Sequence, residues 1–346
     1  GRLIAKLDAP AQGTFVAPHI VRVKGIADLE REVFGPILHI ATFEAEQLDK
    51  VVADINARGY GLTFGLHTRI DGRVQEMIDT VHVGNIYVNR NQIGAVVGSQ
   101  PFGGEGLSGT GPKAGGPNYL HRFRKRASTA VAGAPAGTSV RVRNDQFADA
   151  VKSGWAGRHD RVAALRKVLR GKARAAMSVA AATEYGPVDL LGPTGEGNTL
   201  QLYSRGRVLC LGPDADTLMA QVVQALAAGN SVLAVANGAP RLLSGLIGKE
   251  LPLQAVDGQV NPDDLAALNV DAVAFAGAGE SLRALRQGLS RRSGAIIPVI
   301  SEVFNPTAYA HERAVCVDTT AAGGNASLLA GSSEGGTGFS AASSGL

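Results

Sequence analysis

Apolar positions along the first 124 residues change their period several times. Ala45 to Arg58 sets Leu48, Val51, Val52 and Ile55 on one face of a 3.6-residue repeat, and Gly59-Tyr60-Gly61 ends it. Leu62 to His67 reads as a strand. Asp71-Gly72 opens a second helix with Val74, Met77, Ile78 and Val81 on one face, and Gly84 stops it. A short apolar strand, Asn85 to Asn89, then enters a glycine-rich loop that runs to Pro117. With the apolar run Ile37 to Phe43 ahead of them, the order strand, helix, strand, helix, strand predicts an α/β unit over residues 1–124.

The second half has a sharper rhythm. Residues 125–150 are rich in Ala, Gly, Ser and Thr and predict a linker. Asp160 to Ala182 has helical spacing, followed by turns over Glu184–Pro187 and Leu191–Asn198. Strands are expected at Arg207–Leu211, Ser231–Val235, Asp271–Ala276 and Ala295–Ile300. Helices are expected between them at Asp216–Ala228, Pro240–Lys249 and Glu280–Leu289, the first closed by Gly229-Asn230. Parallel strands joined by right-handed crossovers make a Rossmann-like unit over residues 151–310. Arg313 to Asp318 is a further strand, expected to return to the first unit as part of a flap over residues 311–330. Residues 331–346, rich in Gly and Ser, read as a disordered tail.

Composition sharpens this picture without redirecting it. A chain of 346 residues has room for two domains with their own cores. The formal net charge of +4 is mild, and only His121–Arg126 concentrates basic residues. A solvated linker or helix end accounts for that run, because a nucleic-acid footprint needs a broader patch. Cys210 and Cys316, the two cysteines, sit in strand-like runs, which argues for a reducing compartment over a disulfide framework. No apolar run approaches the ~20 residues that span a bilayer. The chain starts at Gly1 inside an apolar run, which reads as a piece of a longer polypeptide.

The glycine loop is the centre of the candidate chemistry. So many glycines are costly in backbone entropy, and they suit a backbone that must approach a ligand closely. Its only acid is Glu105, and it carries no evident nucleophile, base or metal ligand. Upstream, Glu32-Val33-Phe34-Gly35-Pro36 precedes a strand. Glu32 is either a surface acid in a turn or an acceptor for a ribose diol, with Phe34 beside it to pack on a flat ring. Phe102 is either a loop aromatic that plugs the core or the wall of a pocket.

Taken together, Glu32–Pro36, Tyr60–Thr63, Gly84–Asn89, Gln100–Gly104 and Ser108–Thr110 resemble the C-terminal third of the aldehyde dehydrogenase superfamily. Ile93–Gly98 is similar to the branch that oxidises L-glutamate γ-semialdehyde, the open form of Δ1-pyrroline-5-carboxylate. Leu191–Glu196 and Asp318–Leu328 resemble the bacterial proline utilization A family, which joins a flavin-dependent proline dehydrogenase to this activity. The resemblance implies that Glu32 holds the nicotinamide ribose of NAD and that Phe34 packs at the nicotinamide. It implies that the Gly94 and Ala95 amides bind the substrate α-carboxylate, in keeping with an anion nest of successive N–H groups. Phe102 would line the aldehyde pocket. The family's nucleophilic cysteine lies upstream of Glu-Val-Phe-Gly-Pro, so no catalytic residue is expected here. Cys210 and Cys316 sit inside strands rather than on reactive loops.

Residues 205–234 and 273–277 resemble a second, degenerate copy of the family's cofactor domain. Val235 stands where the family has a lysine, and Asp214 and Asp216 would repel a pyrophosphate. A structural lid over the active site is therefore expected for residues 151–310. The resemblance further implies missing N-terminal domains of the same polypeptide, FAD in the proline dehydrogenase among them. It implies a cytoplasmic, homo-oligomeric parent with peripheral association at the inner membrane, and it gives this segment no nucleic-acid partner. The competing reading is a non-catalytic docking or regulatory module derived from an aldehyde dehydrogenase.

Overall fold

The computed structural model describes residues 2–93, 95–124 and 137–320. Gly94, the stretch 125–136 and everything after Thr320 lie outside it, including the expected tail and the end of the flap.

The first unit begins with a small sheet of β1 (Arg2–Lys6), β2 (His19–Arg22) and β3 (Ile37–Ile40), in which β1 and β2 are antiparallel and β2 and β3 parallel. Leu3, Leu7, Phe15, Val16, Leu38 and Phe43 are all exposed on or around it. Helix α1 (Leu48–Arg58) follows and ends at Gly59, whose φ of 75° suits a residue without a Cβ. Next come β4 (Tyr60–Gly61), β5 (Thr63–Leu66), α2 (Asp71–Thr80) and β6 (Asn85–Val88). Strands β5 and β6 are parallel, and Val52, Val74, Met77, Ile86 and Val88 form the core between helices and sheet. The glycine loop then folds back, and its strand β7 (Glu105–Gly106) pairs antiparallel with β4.

The second unit starts earlier than the composition predicts. Strand β8 (Ser139–Val140) pairs in parallel with a strand well inside this unit, and Val142 and Phe147 are buried in its core. The linker expected over 125–150 is thus built structure from Ser139 onward; its small residues hid two apolar anchors. The helix expected over Asp160–Ala182 is two helices, α3 (Arg161–Leu169) and α4 (Arg174–Ala181). Arg170, Gly171 and Ala173 between them all take positive φ, which breaks the ladder.

Strands β9 (Val188–Leu190) and β10 (Glu196–Ser204) follow, where turns were expected over part of the range. Then come β11 (Arg207–Cys210), α5 (Ala215–Ala227), β12 (Ser231–Val235) and α6 (Ala239–Leu242). The helix expected over Pro240–Lys249 stops early, and Gly248 turns left-handed at φ 78°. The unit closes with β13 (Leu253–Val256), β14 (Gln259–Val260), β15 (Ala272–Ala274), α7 (Gly279–Ser290), β16 (Val299–Ile300) and β17 (Ala310–Asp318). The pairing partner of β8 is β14.

A parallel sheet of order β13-β12-β11-β15-β16 carries this unit, and its order reverses between β11 and β15. Val208, Cys210, Val232 and Ala234 face one core, while Leu209, Leu233 and Val235 face the other. That period-2 division buries both faces, as a parallel sheet requires.

The two units share a third sheet, of order β5-β6-β17-β10-β9. Strand β17 runs parallel to β6, with Cys316 opposite Tyr87, and antiparallel to β10. Residues more than 220 positions apart are therefore neighbours in one ladder, and the strand near Val315 does return to the first unit. No helix among the described residues is long and apolar enough to cross a membrane.

Candidate functional site

Asn85, at the start of β6, pins the glycine loop. Its Nδ2 donates to Pro101 O at 2.8 Å, and its Oδ1 accepts from Gly103 N at 3.1 Å. Both neighbours of Phe102 are thereby fixed. Phe102 itself exchanges two backbone hydrogen bonds with Ala114, each 2.9 Å, and its side chain is half-buried. The loop approaches β6 so closely that a Cβ on Gly84 would lie 1.9 Å from Gly103 O. Glycine is required there by contact, not by φ.

Within the loop itself, Lys113 is a residue to which the sequence pattern gives no role. It is 2% exposed, and its Nζ donates to Gly103 O and, at 3.0 Å, to Asn85 Oδ1. Burial pulls its ammonium down to about 8, against the opposing pull of Glu312 and Glu105. Glu312 on β17 accepts from Lys113 N at 2.6 Å and from Asn118 Nδ2 at 2.7 Å. Beside it, Arg313 donates to Val83 O and Ile78 O, stacks 4.0 Å from the Tyr203 ring centroid and lies 3.6 Å from Glu105. His311 also approaches Glu105 at 3.6 Å. Burial and the neighbouring arginines hold this imidazole well below its usual range, so the contact is not an ion pair at neutral pH.

Ile93 and Ala95 to Val97 lie on the exposed outer part of the loop. Ala95 is exposed, and Gly98 N and Gln100 N tie the far side back to Gly115 O and Val96 O. Gly94, expected to share the carboxylate with Ala95, lies outside the described residues.

Glu32 and Phe34 occupy the extended segment before β3. Phe34 is 87% exposed, so its ring has no partner within the described chain to occupy it. The Glu32 amide donates to Tyr60 Oη at 3.4 Å. Tyr60 in turn pairs with Gly106, and Gly61 N donates to Ser108 Oγ at 3.1 Å. Glu32 and the glycine loop therefore meet through β4. An exposed aromatic and an acid beside such a loop suit a flat ring and a diol, so these residues fit the nicotinamide end of NAD.

Both cysteines lie in strands and are buried. Burial drives the Cys210 thiol far up. It also raises Cys316, although Arg90 Nη1 donates to its Sγ at 2.9 Å. That arginine also pairs with Glu196 at 2.5 Å, and Gln100 Nε2 donates to the same carboxylate at 2.9 Å. Residues 90, 100, 196 and 316 thus lock the loop, β10 and β17 together. No periodicity signals such a cluster, because its members come from three segments.

In the second unit, the crevice at the strand-order reversal has a volume of about 560 Å³ and is lined by Leu211, Val235, Val260, Phe275 and Leu285 among others. The N-terminus of α5 points at it, where a pyrophosphate sits in a dinucleotide fold. Here Asp214 takes that place. Its Oδ1 accepts from Asp216 N and Thr217 N, both at 3.0 Å, and its Oδ2 accepts from Thr217 Oγ1 at 2.6 Å. Burial pushes this carboxyl up, but those hydrogen bonds outweigh it and hold Asp214 below the ordinary range.

Residues 3–128 match the model of the aldehyde dehydrogenase family. Over 342 residues the chain is 40% identical to the bifunctional protein PutA of Escherichia coli K12, covering 92% of this chain and 24% of that protein. PutA of Rhizobium meliloti is 40% identical over 331 residues, with 92% and 25% covered. The 1-pyrroline-5-carboxylate dehydrogenase of Bacillus cereus (strain B4264) is 39% identical over 123 residues, 35% of this chain and 24% of that enzyme. The chain thus spans about a quarter of the length of the curated relatives it matches. Among solved structures, PutA of Corynebacterium freiburgense aligns over 90% of this chain and 28% of its own at a TM-score of 0.56 and 21% identity, a likeness of fold. Residues 3–128 are therefore similar to the aldehyde dehydrogenase family, in a chain that over 92% of its length is similar to part of the bifunctional PutA proteins.

Proposed function

We propose that this chain is the substrate-anchoring part of an NAD-dependent L-glutamate γ-semialdehyde dehydrogenase that works in proline catabolism. The observation that carries this reading is the pinned glycine loop. Asn85 fixes both neighbours of Phe102 while the Ala95 segment stays exposed. Successive amides in such a segment attract a carboxylate, and an aromatic wall behind them keeps water from the aldehyde. Glu32 and Phe34 would hold the ribose and nicotinamide of NAD, which supplies the hydride acceptor when bound.

The attacking thiolate and the main NAD domain belong to upstream polypeptide in this reading. So does the FAD-dependent proline dehydrogenase. The exposed apolar sheet β1-β2-β3 gives the upstream part a face to pack on. Residues 151–310 act as a lid, with β17 tying them to the active-site loop. The parent assembles as a cytoplasmic homo-oligomer, peripheral at the inner membrane.

The test uses the chain joined to its upstream polypeptide. Ala95→Pro removes one carboxylate-binding amide, which is worth about 1.5–3 kcal/mol for a charged acceptor. It should raise KM for glutamate semialdehyde at least about tenfold, the low end of that range, and leave an aldehyde without an α-carboxylate unaffected. Equal effects on both substrates would remove the anchor role. Absence of NAD-dependent oxidation in the joined protein would favour the non-catalytic docking module instead.

A further inference from the structure

The basic run that the site leaves unused borders a cavity of about 250 Å³ between the two units. Four cationic side chains line it, Lys113, Arg122, Arg124 and Arg205, against two carboxylates, Glu302 and Glu312. The carboxylates already accept hydrogen bonds, Glu312 from Lys113 N and Asn118, and Glu302 from Asn305. Leaving the histidines aside, the lining carries two more cationic than anionic side chains.

The arginines are placed, not merely present. Arg205 Nη2 donates to Thr110 O at 3.0 Å, and Arg122 Nη2 donates to Gly111 O at 2.8 Å. Two guanidiniums thus sit on successive carbonyls of one loop. Arg205 is further held by Ala308 O at 2.7 Å. Like charges so arranged repel, and two carbonyl dipoles offset this only in part. Burial pulls Arg205 down to about 10, against the opposing pull of Glu105, Glu312 and Asp271. Guanidinium forks match the paired oxygens of a carboxylate or phosphate. The volume falls below the ~300 Å³ at which sites for drug-sized ligands begin, so the occupant is small.

We propose that this cavity binds a small, multiply charged oxyanion clasped between Arg122 and Arg205 at the seam of the two units. The site does not depend on the dehydrogenase reading, because neither arginine touches the Ala95 segment or Phe102. An anion there would hold the end of the glycine loop against the strand β17 region, and so couple the lid to the loop.

Isothermal titration calorimetry on the whole chain tests this, with inorganic phosphate and succinate as separate probes. Sodium chloride holds ionic strength constant. One probe should bind with 1:1 stoichiometry, and which one binds more tightly assigns the tetrahedral or the dicarboxylate class. Arg122→Gln, at an exposed position, should weaken binding at least tenfold without changing the Tm in chloride. Arg205→Gln should abolish it, and Arg283→Gln on α7 should leave it intact. The proposal fails if neither probe gives heat above dilution, or if Arg122→Gln binds as tightly as the parent chain. It also fails if a single-stranded oligonucleotide binds while both small anions do not, since the run would then be a nucleic-acid rim.

Discussion

Two turns in this chain, the glycine loop and the turn before α5, differ in what meets their backbone amides. In the first unit the loop after β6 is pinned on its inner side by Asn85 and Lys113, and its Ala95 segment is left exposed. In the second unit the N-terminus of α5 is occupied by the protein's own Asp214 carboxylate. One turn leaves its outer backbone exposed; the other has an acid of its own on its amides. What separates the two is the side chain that reaches the orphan amides.

The comparison can be broken most severely at the glycines themselves. A Cβ on Gly84 meets Gly103 O at 1.9 Å and Lys113 Nζ at 2.6 Å, and the first of these is backbone that cannot step aside. Gly84→Ala should destabilise the chain by roughly 4 kcal/mol in urea unfolding, at the upper end for overpacking. Gly279, opening α7 beside the second crevice, has φ 63° but open space around its missing Cβ. Gly279→Ala should cost only about 1 kcal/mol, the strain of a left-handed alanine. Equal costs would mean that the close backbone approach does not set the penalty at Gly84.

Charge offers a second lever, because only the first turn rests on a buried ammonium. Lys113 falls to about 8 in the folded chain from 10.5. Between those values the unfolded chain binds more protons than the folded one, so stability rises with pH across the window. Below pH 8 both states are charged, and the burial penalty is felt in full. From pH 7.5 to 9.5 urea unfolding should show a gain of about 2 kcal/mol, because one proton's difference is worth about 1.4 kcal/mol for every pH unit. Lys113→Met should flatten this slope whatever its absolute stability. A slope that persists in the variant would assign the titration to another group.

Much of this architecture was legible in the sequence, and the failures share a cause. The apolar runs at Arg207–Leu211 and Ser231–Val235 announced their strands because both faces of a parallel sheet are buried. Strand β10 was missed because its buried positions include Asn198, which looks like a turn residue until the Glu196 cluster is assembled. The linker reading failed at Val142 and Phe147 because two anchors in a small-residue stretch make no period. At the site, glycine spacing marked the loop, and the family resemblance supplied roles for Glu32, Phe34, Gly94, Ala95 and Phe102. Neither could reveal Lys113, whose meaning comes from burial, or Arg90 and Glu196, which meet across 106 positions.

The mildest change bears most directly on why the second crevice differs from the first turn. Asp214→Ala should remove the α5 cap and cost about 1 kcal/mol, whereas Asp214→Asn should cost only a few tenths, since asparagine caps as well as aspartate. The Asn variant also deletes the negative charge that would oppose a dinucleotide, while leaving the helix intact. If charge were the only obstacle, calorimetry should then detect NAD binding to the chain. None is expected, because the neutral side chain still covers the Asp216 and Thr217 amides that a pyrophosphate would need. Phe275, Val235 and Val260 add apolar walls where phosphate oxygens would lose their water. Millimolar binding by Asp214→Asn would show that a single carboxylate separates this domain from a working cofactor site, and the contrast between the two turns would shrink to one charge.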